Sequence, residues 1–207
     1  MRVYAESNFV LEIILEQEQH QACEELVSLA ASKSIELVLP AFALLEPYQT
    51  IVRRELQGND LRAELREHAK LLIRTASIAA DISRLSDASD LLMRAEQEAK
   101  RRFLDVYAML LDTAHLIAID GSALREAAKL TTQFGLKLPD ALVLASVLAD
   151  AAARPSPSVF LNRDTKGFDD PDVKACLKQE GCHFIGGFEA GLARVRNTLT
   201  NASVDGV

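Results

Sequence analysis

Short apolar runs alternate with stretches of helical period along this chain, and that alternation restricts the fold more than any other feature. The runs are Arg2 to Ala5, Glu36 to Leu39, His115 to Ile119, Ser158 to Leu161 and His183 to Ile185. Each is too short for a helix, and helical pattern separates it from the next. Strands joined by helices cross over in one direction, so they pair in parallel and need helices on both faces. The expected fold is therefore an α/β/α sandwich around a central parallel sheet of four to five strands. A chain of 207 residues, 49% apolar, is long enough for one such domain with a full core and an insertion. In sheets of this kind the working site lies at the carboxyl ends of the strands.

The helical pattern places helices at about Asn8 to Leu15, Gln17 to Ser32 and Ala123 to Phe134, with Gly135 as the C-cap of the last. Phe42, Leu45, Tyr48, Ile51 and Val52 fall at helical spacing, and Pro47 among them either opens that helix or kinks it. Pro139 opens a further helix, whose run from Ala141 to Leu148 is apolar nearly all round and so reads as buried. From about 59 to 111 the chain is charged, helical and free of glycine and proline, with Ser86 to Asp90 reading as a break and a new N-cap. We read this block as a helical insertion within a single domain of residues 1–197, followed by a polar, frayed tail over 198–207.

Four acids stand beside apolar segments, where solubility alone does not explain them. They are Glu6 in Ala-Glu-Ser-Asn, Glu46 in Leu-Leu-Glu-Pro, Asp140 in Leu-Pro-Asp-Ala-Leu and Asp164 in Leu-Asn-Arg-Asp-Thr. Glu6 follows the first strand and Asp164 the fourth, both at the end where an α/β site belongs. Each has an ordinary alternative: a helix N-terminal acid for Glu6 and Asp140, a surface glutamate for Glu46, a turn aspartate for Asp164. Facing one cleft together, they would repel one another and favour a hard divalent cation.

The bulk numbers narrow the function. A net charge of −7 argues against a general nucleic-acid coat protein, although basic residues gather at Arg53-Arg54, Arg62, Arg66, Arg74 and Lys100-Arg101-Arg102. Cys23, Cys176 and Cys182 form no paired motif, which fits a reducing compartment and filler roles. No apolar run is long enough to span a bilayer, and the acid at Glu6 comes too early for a signal peptide, so a cytoplasmic protein is expected. His20, His68, His115 and His183 lie in helices or at strand starts, away from any nucleophile motif, and no glycine-rich phosphate loop occurs.

The order and setting of the acids resemble the PIN domain, the metal-dependent ribonuclease fold of many bacterial toxins. The resemblance runs from Val3 to about Val195. It is most specific at Leu138-Pro139-Asp140-Ala141-Leu142-Val143-Leu144-Ala145-Ser146 and at Val159-Phe160-Leu161-Asn162-Arg163-Asp164-Thr165-Lys166-Gly167-Phe168. The first acid departs from the pattern: it is Glu6, one methylene longer than the usual aspartate. The distance from Glu46 to Asp140 also exceeds that of a minimal toxin, because of the helical block. The resemblance implies Mg2+ or Mn2+ held by Glu6, Glu46, Asp140 and Asp164, directly or through water, and hydrolysis of RNA by an activated water. It further implies Asn8, Asn162 and Thr165 as residues orienting those ligands, and Arg163 and Lys166 as contacts to substrate phosphate. An antitoxin protein and a homodimer are the partners to expect. The alternatives are a catalytically weak binding module, or a metal-dependent phosphoesterase acting on DNA.

Overall fold

The computed structural model describes residues 1–163 and 165–204, the side chains of Ala80, Thr165, Lys166 and 202–204 aside. Five strands form one all-parallel sheet: β1 (Arg2–Ala5), β2 (Glu36–Pro40), β3 (His115–Ile117), β4 (Ser158–Asn162) and β5 (Cys182–Gly186). Their order is β3-β2-β1-β4-β5. The chain steps outward from β1 to β2 to β3, then returns to the other side of β1 for β4 and β5. The order therefore reverses between β1 and β4, and the crevice at such a reversal is where open α/β sheets bind ligands.

Period-two alternation sorts the strand residues between two helix layers. Tyr4, Val38 and Phe160 are in register across the three central strands and point to one face. There they meet α5 (Gly121–Phe134) and α6 (Leu138–Ala153). Residues Ala141 through Val147 of α6 are buried without interruption, as a helix apolar all round requires. The opposite layer holds α1 (Ser7–Ile14), α2 (His20–Ala31) and α9 (Phe188–Val204), with Phe9 edge-on to Phe188 at 5.5 Å. At the amino end of the sheet a charged network closes the core. The buried Tyr4 hydroxyl donates to Asp150 at 2.8 Å, Arg2 and Arg154 both donate to Glu36, and Arg154 also donates to Asp150.

The chain divides into two compact units, one of Met1–Pro47 with the residues from Val106 onward, the other Tyr48–Asp105. The second is a helical hairpin made from most of α3 (Phe42–Leu72) and α4 (Ser83–Thr113), with a 3-10 turn at Ala79–Asp81 between them. Its facing residues recur at alternating steps of four and three: Ile51, Glu55, Gly58, Arg62, Leu65 and Ala69 on α3, and Leu85, Ser89, Leu92, Glu96, Ala99 and Phe103 on α4. This is an antiparallel coiled-coil seam. A half-buried ion pair crosses it from Arg62 to Glu96 at 2.7 Å, and Gly58 leaves the space the Glu96 carboxylate occupies.

Several expectations need correcting. The helical unit spans Tyr48–Asp105, not about 59 to 111, because Val106 and Leu110 are buried with the sheet unit. The break falls between Leu72 and Ser83, and α4 runs straight through Ser86 to Asp90, whose polar side chains are tolerated in its exposed early turns. Pro47 lies inside α3, in its second turn. The helix α9 continues past Asn197 to Val204, with Thr198 and Thr200 bonded back to the carbonyls of Arg194 and Arg196. A helix α8 (Pro171–Gln179), after the short α7 (Thr165–Phe168), was not anticipated. Asp170 caps α8 and Pro171 opens it, an Asp-Pro start legible in the sequence.

Candidate active site

Glu6 ends β1 and caps α1. Its backbone is extended, with φ −132°, and its Oε1 accepts from the Asn8 amide at 3.0 Å. Its Oε2 accepts from the Ser7 hydroxyl at 2.8 Å. The side chain is buried, only 6% exposed. Glu46 comes from the second turn of α3, straight after β2, and Asp140 from the first turn of α6. Both are half-buried. Because α6 runs back toward the amino end of β4, its N-terminus, opened by Pro139, lies at the carboxyl edge of the sheet.

The other two acids act on Glu6. Burial pushes the Glu6 carboxyl from its ordinary 4.5 up to about 7. Hydrogen bonds from Ser7 and the Asn8 amide pull the other way, and the charges of Glu46 and Asp140 raise it further. Ser7 joins two of the acids, since its hydroxyl is bonded to Glu46 Oε2 as well as to Glu6 Oε2. A hydroxyl carries one proton and cannot donate to two carboxylates at once. The two contacts are therefore alternatives for that one proton, which Ser7 gives to Glu6 or to Glu46.

Asn162 ends β4, is buried, and its carbonyl accepts from the Gly187 amide at 3.1 Å. Asn8 Nδ2 approaches Asn162 Oδ1 at 3.5 Å, a contact that spans the reversal between β1 and β4. Arg163 is exposed, and its guanidinium donates to Glu12 and Glu18. Glu12 is 1% exposed and also accepts from the Gln19 amide at 2.8 Å. The Gln19 side chain in turn accepts from the Phe188 amide at the start of α9. Arg163 thus neutralises a buried carboxylate and ties the segment after β4 to the turn between α1 and α2. Asp164 lies outside the described residues, as do the side chains of Thr165 and Lys166.

The geometry adds two residues to the sequence reading. Ser7 carries its signal in plain view, a hydroxyl directly after the first acid. Glu12 is an acid set among Leu11, Ile13 and Ile14, a pattern that marks a buried and therefore partnered carboxylate.

The donors gathered here are hard oxygens, the ligand chemistry of Mg2+ and Mn2+. Among the described residues no three acids, histidines or cysteines already stand in a ligating group. No helix among the described residues is long and apolar enough to cross a membrane. No family model matches the chain, and no curated protein or solved structure matches it.

Proposed function

We propose that this chain is a Mg2+- or Mn2+-dependent endoribonuclease of the PIN type, with the toxin of a toxin–antitoxin pair as its biological setting. One observation carries the reading. Glu6, Glu46 and Asp140 come from three separate elements at the carboxyl edge of a parallel sheet, close enough for the charges of the last two to act on the first. Acids gathered at one sheet edge raise one another's energy, and perturbed carboxylates of that kind cluster at functional sites.

In this reading Glu6, Glu46, Asp140 and Asp164 hold the cation. Bound there, it supplies an acidified water and stabilises charge on the phosphate. The chain's own contributions are positional. Ser7 and the Asn8 amide fix the Glu6 carboxylate, and Ser7 fixes Glu46 with it. Asn8 and Asn162 orient the water shell from either side of the β1–β4 crevice. Arg163 serves the loop through Glu12 and Glu18, which leaves phosphate contact to Lys166 and to basic residues beyond this edge.

The test is cleavage of a pool of single-stranded and structured RNA with Mg2+, Mn2+ or EDTA, comparing the wild type with Asp140→Asn. Metal-dependent cutting reduced about a hundredfold in the variant is expected, on the scale of losses when a metal site loses a supporting group. A folded wild type that cuts under no metal would sink the nuclease reading. Cutting confined to DNA in the same assay would move the protein to the phosphoesterase class.

The close bonding of Glu6 favours a second reading as a binding module. Both its oxygens are engaged, and it keeps a proton to about 7. Titration calorimetry with Mn2+ separates the two. Binding lost in Asp140→Asn supports the enzyme; heat indistinguishable from buffer supports the module.

A further inference from the structure

At the amino ends of β4 and β5, on the far edge of the sheet from the acids, lies a cavity of about 540 Å³, a size that suits a small-molecule ligand. The strand and helix periods aim its polar lining. Cys182 and Phe184 of β5 turn into the core with α5 and α6, so His183 between them turns to the other face, where α9 lies. Arg194 and Thr198 stand one turn apart on α9, and both line the cavity with His183. Glu180 enters it from the C-cap of α8, and Ala151, Pro155, Pro157 and Val159 give it an apolar wall.

Two opposite charges in this cavity stand without partners. Nearby arginines are matched with acids: Arg154 with Glu36 and Asp150, and Arg196 with Glu25. Among the described residues the side chains of Arg194 and Glu180 form no ion pair and no hydrogen bond, although both line one cavity. They are therefore too far apart to pair with each other. Glu180 is also half-buried and ends a helix, where the carbonyl dipoles disfavour a carboxylate, so its charge calls for a cation.

We infer that this cavity binds a free α-amino acid with an apolar side chain. Arg194 takes the carboxylate, its planar fork matching two oxygens, with His183 as a further donor. Glu180 and the carbonyl end of α8 take the ammonium. Pro155, Pro157 and Val159 receive the side chain. A plain anion would set its charge against Glu180, and a plain cation would set its charge against Arg194. A zwitterion satisfies both, and a body of apolar atoms fills the rest of the space.

This inference does not depend on the nuclease reading. Calorimetry and amide chemical shifts of the full chain, titrated with L-leucine, test it. Isocaproate lacks the ammonium of that probe, and isoamylamine lacks its carboxylate. Leucine should bind and move the amide resonances of Gly181 and Thr198, and each half-probe should bind at least about tenfold more weakly. Arg194→Gln and Glu180→Gln should each weaken leucine at least about tenfold while circular dichroism shows the helices intact, and Asp140→Asn should leave its affinity unchanged. Absence of leucine binding at millimolar concentration would overturn the inference. So would equal affinity for isocaproate, which would make this a plain anion site. Leucine binding indifferent to Arg194→Gln would overturn it as well, by placing the ligand elsewhere.

Discussion

Glu6 holds two positions at once, as the cap of a helix and as the acid that feels the charges of the other two, and its titration shows the tension. The unfolded chain releases this proton near 4.5 and the folded chain near 7. Between those values the unfolded state binds fewer protons, so stability falls as pH rises and the loss is complete above about 7. The cation-free protein should therefore lose on the order of 3 kcal/mol from pH 4.5 to pH 7 through this group. Urea titrations at several pH values in EDTA should show the slope in the wild type and its absence in Glu6→Gln. Ser7→Ala removes a bond that lowers the Glu6 value, so it should move the midpoint of that slope upward. Arg163 gives a separate prediction. Arg163→Ala strands Glu12 as an unpaired buried charge and should cost about 3–5 kcal/mol, much of it recovered in the double variant with Glu12→Gln. Additive losses in that cycle would show that the two side chains do not act as a pair.

At the scale of elements, the strands and α6 were legible because their patterns have a single physical reading. A run such as Val159-Phe160-Leu161 must be buried on both faces, and an apolar helix after Pro139 has nowhere to lie but against a sheet. Phe160→Ala should accordingly cost about 3–5 kcal/mol in global stability, the usual range for emptying a core position lined by Tyr4, Phe168 and Phe184. The ends of the hairpin were not legible. A charged helix with a heptad repeat reads the same whether it packs on a sheet or only on its neighbour, so Val106 and Leu110 gave no sign that they leave the hairpin. The break was misplaced for a related reason: Ser86, Asp87 and Asp90 suit a cap, yet they suit the exposed first turns of a long helix equally well. The site was half legible. Strand ends announced Glu6 and helix starts announced Asp140, whereas the links Ser7 to Glu46 and Arg163 to Glu12 join residues 39 and 151 positions apart, which no local pattern encodes. The lack of buried residues among those described from Asn59 to Glu98 has a dynamic counterpart. Amides there should exchange hydrogen faster than those of β1 and β4.

At the scale of the molecule, charge is unevenly shared. Eleven of the 23 basic residues but only ten of the 30 acids lie in the hairpin, so the sheet unit carries the whole negative balance. An acidic site unit does not attract a polyanion unaided, and RNA affinity should come from local basic contacts and fall steeply as salt rises. Filter binding from 50 to 200 mM salt checks this, and a flat response would mean that phosphate is not what the protein grips. The capping bond between Glu6 and the Asn8 amide carries a last consequence. The oxygens that a ligand would claim are the ones that hold the first turn of α1 in place, and α1 leads to Glu12, Arg163 and the segment after β4. Occupancy and local order therefore compete for the same lone pairs. A visitor at this edge must loosen its host slightly in order to stay, and the Asn8 amide resonance would register its arrival before any product formed.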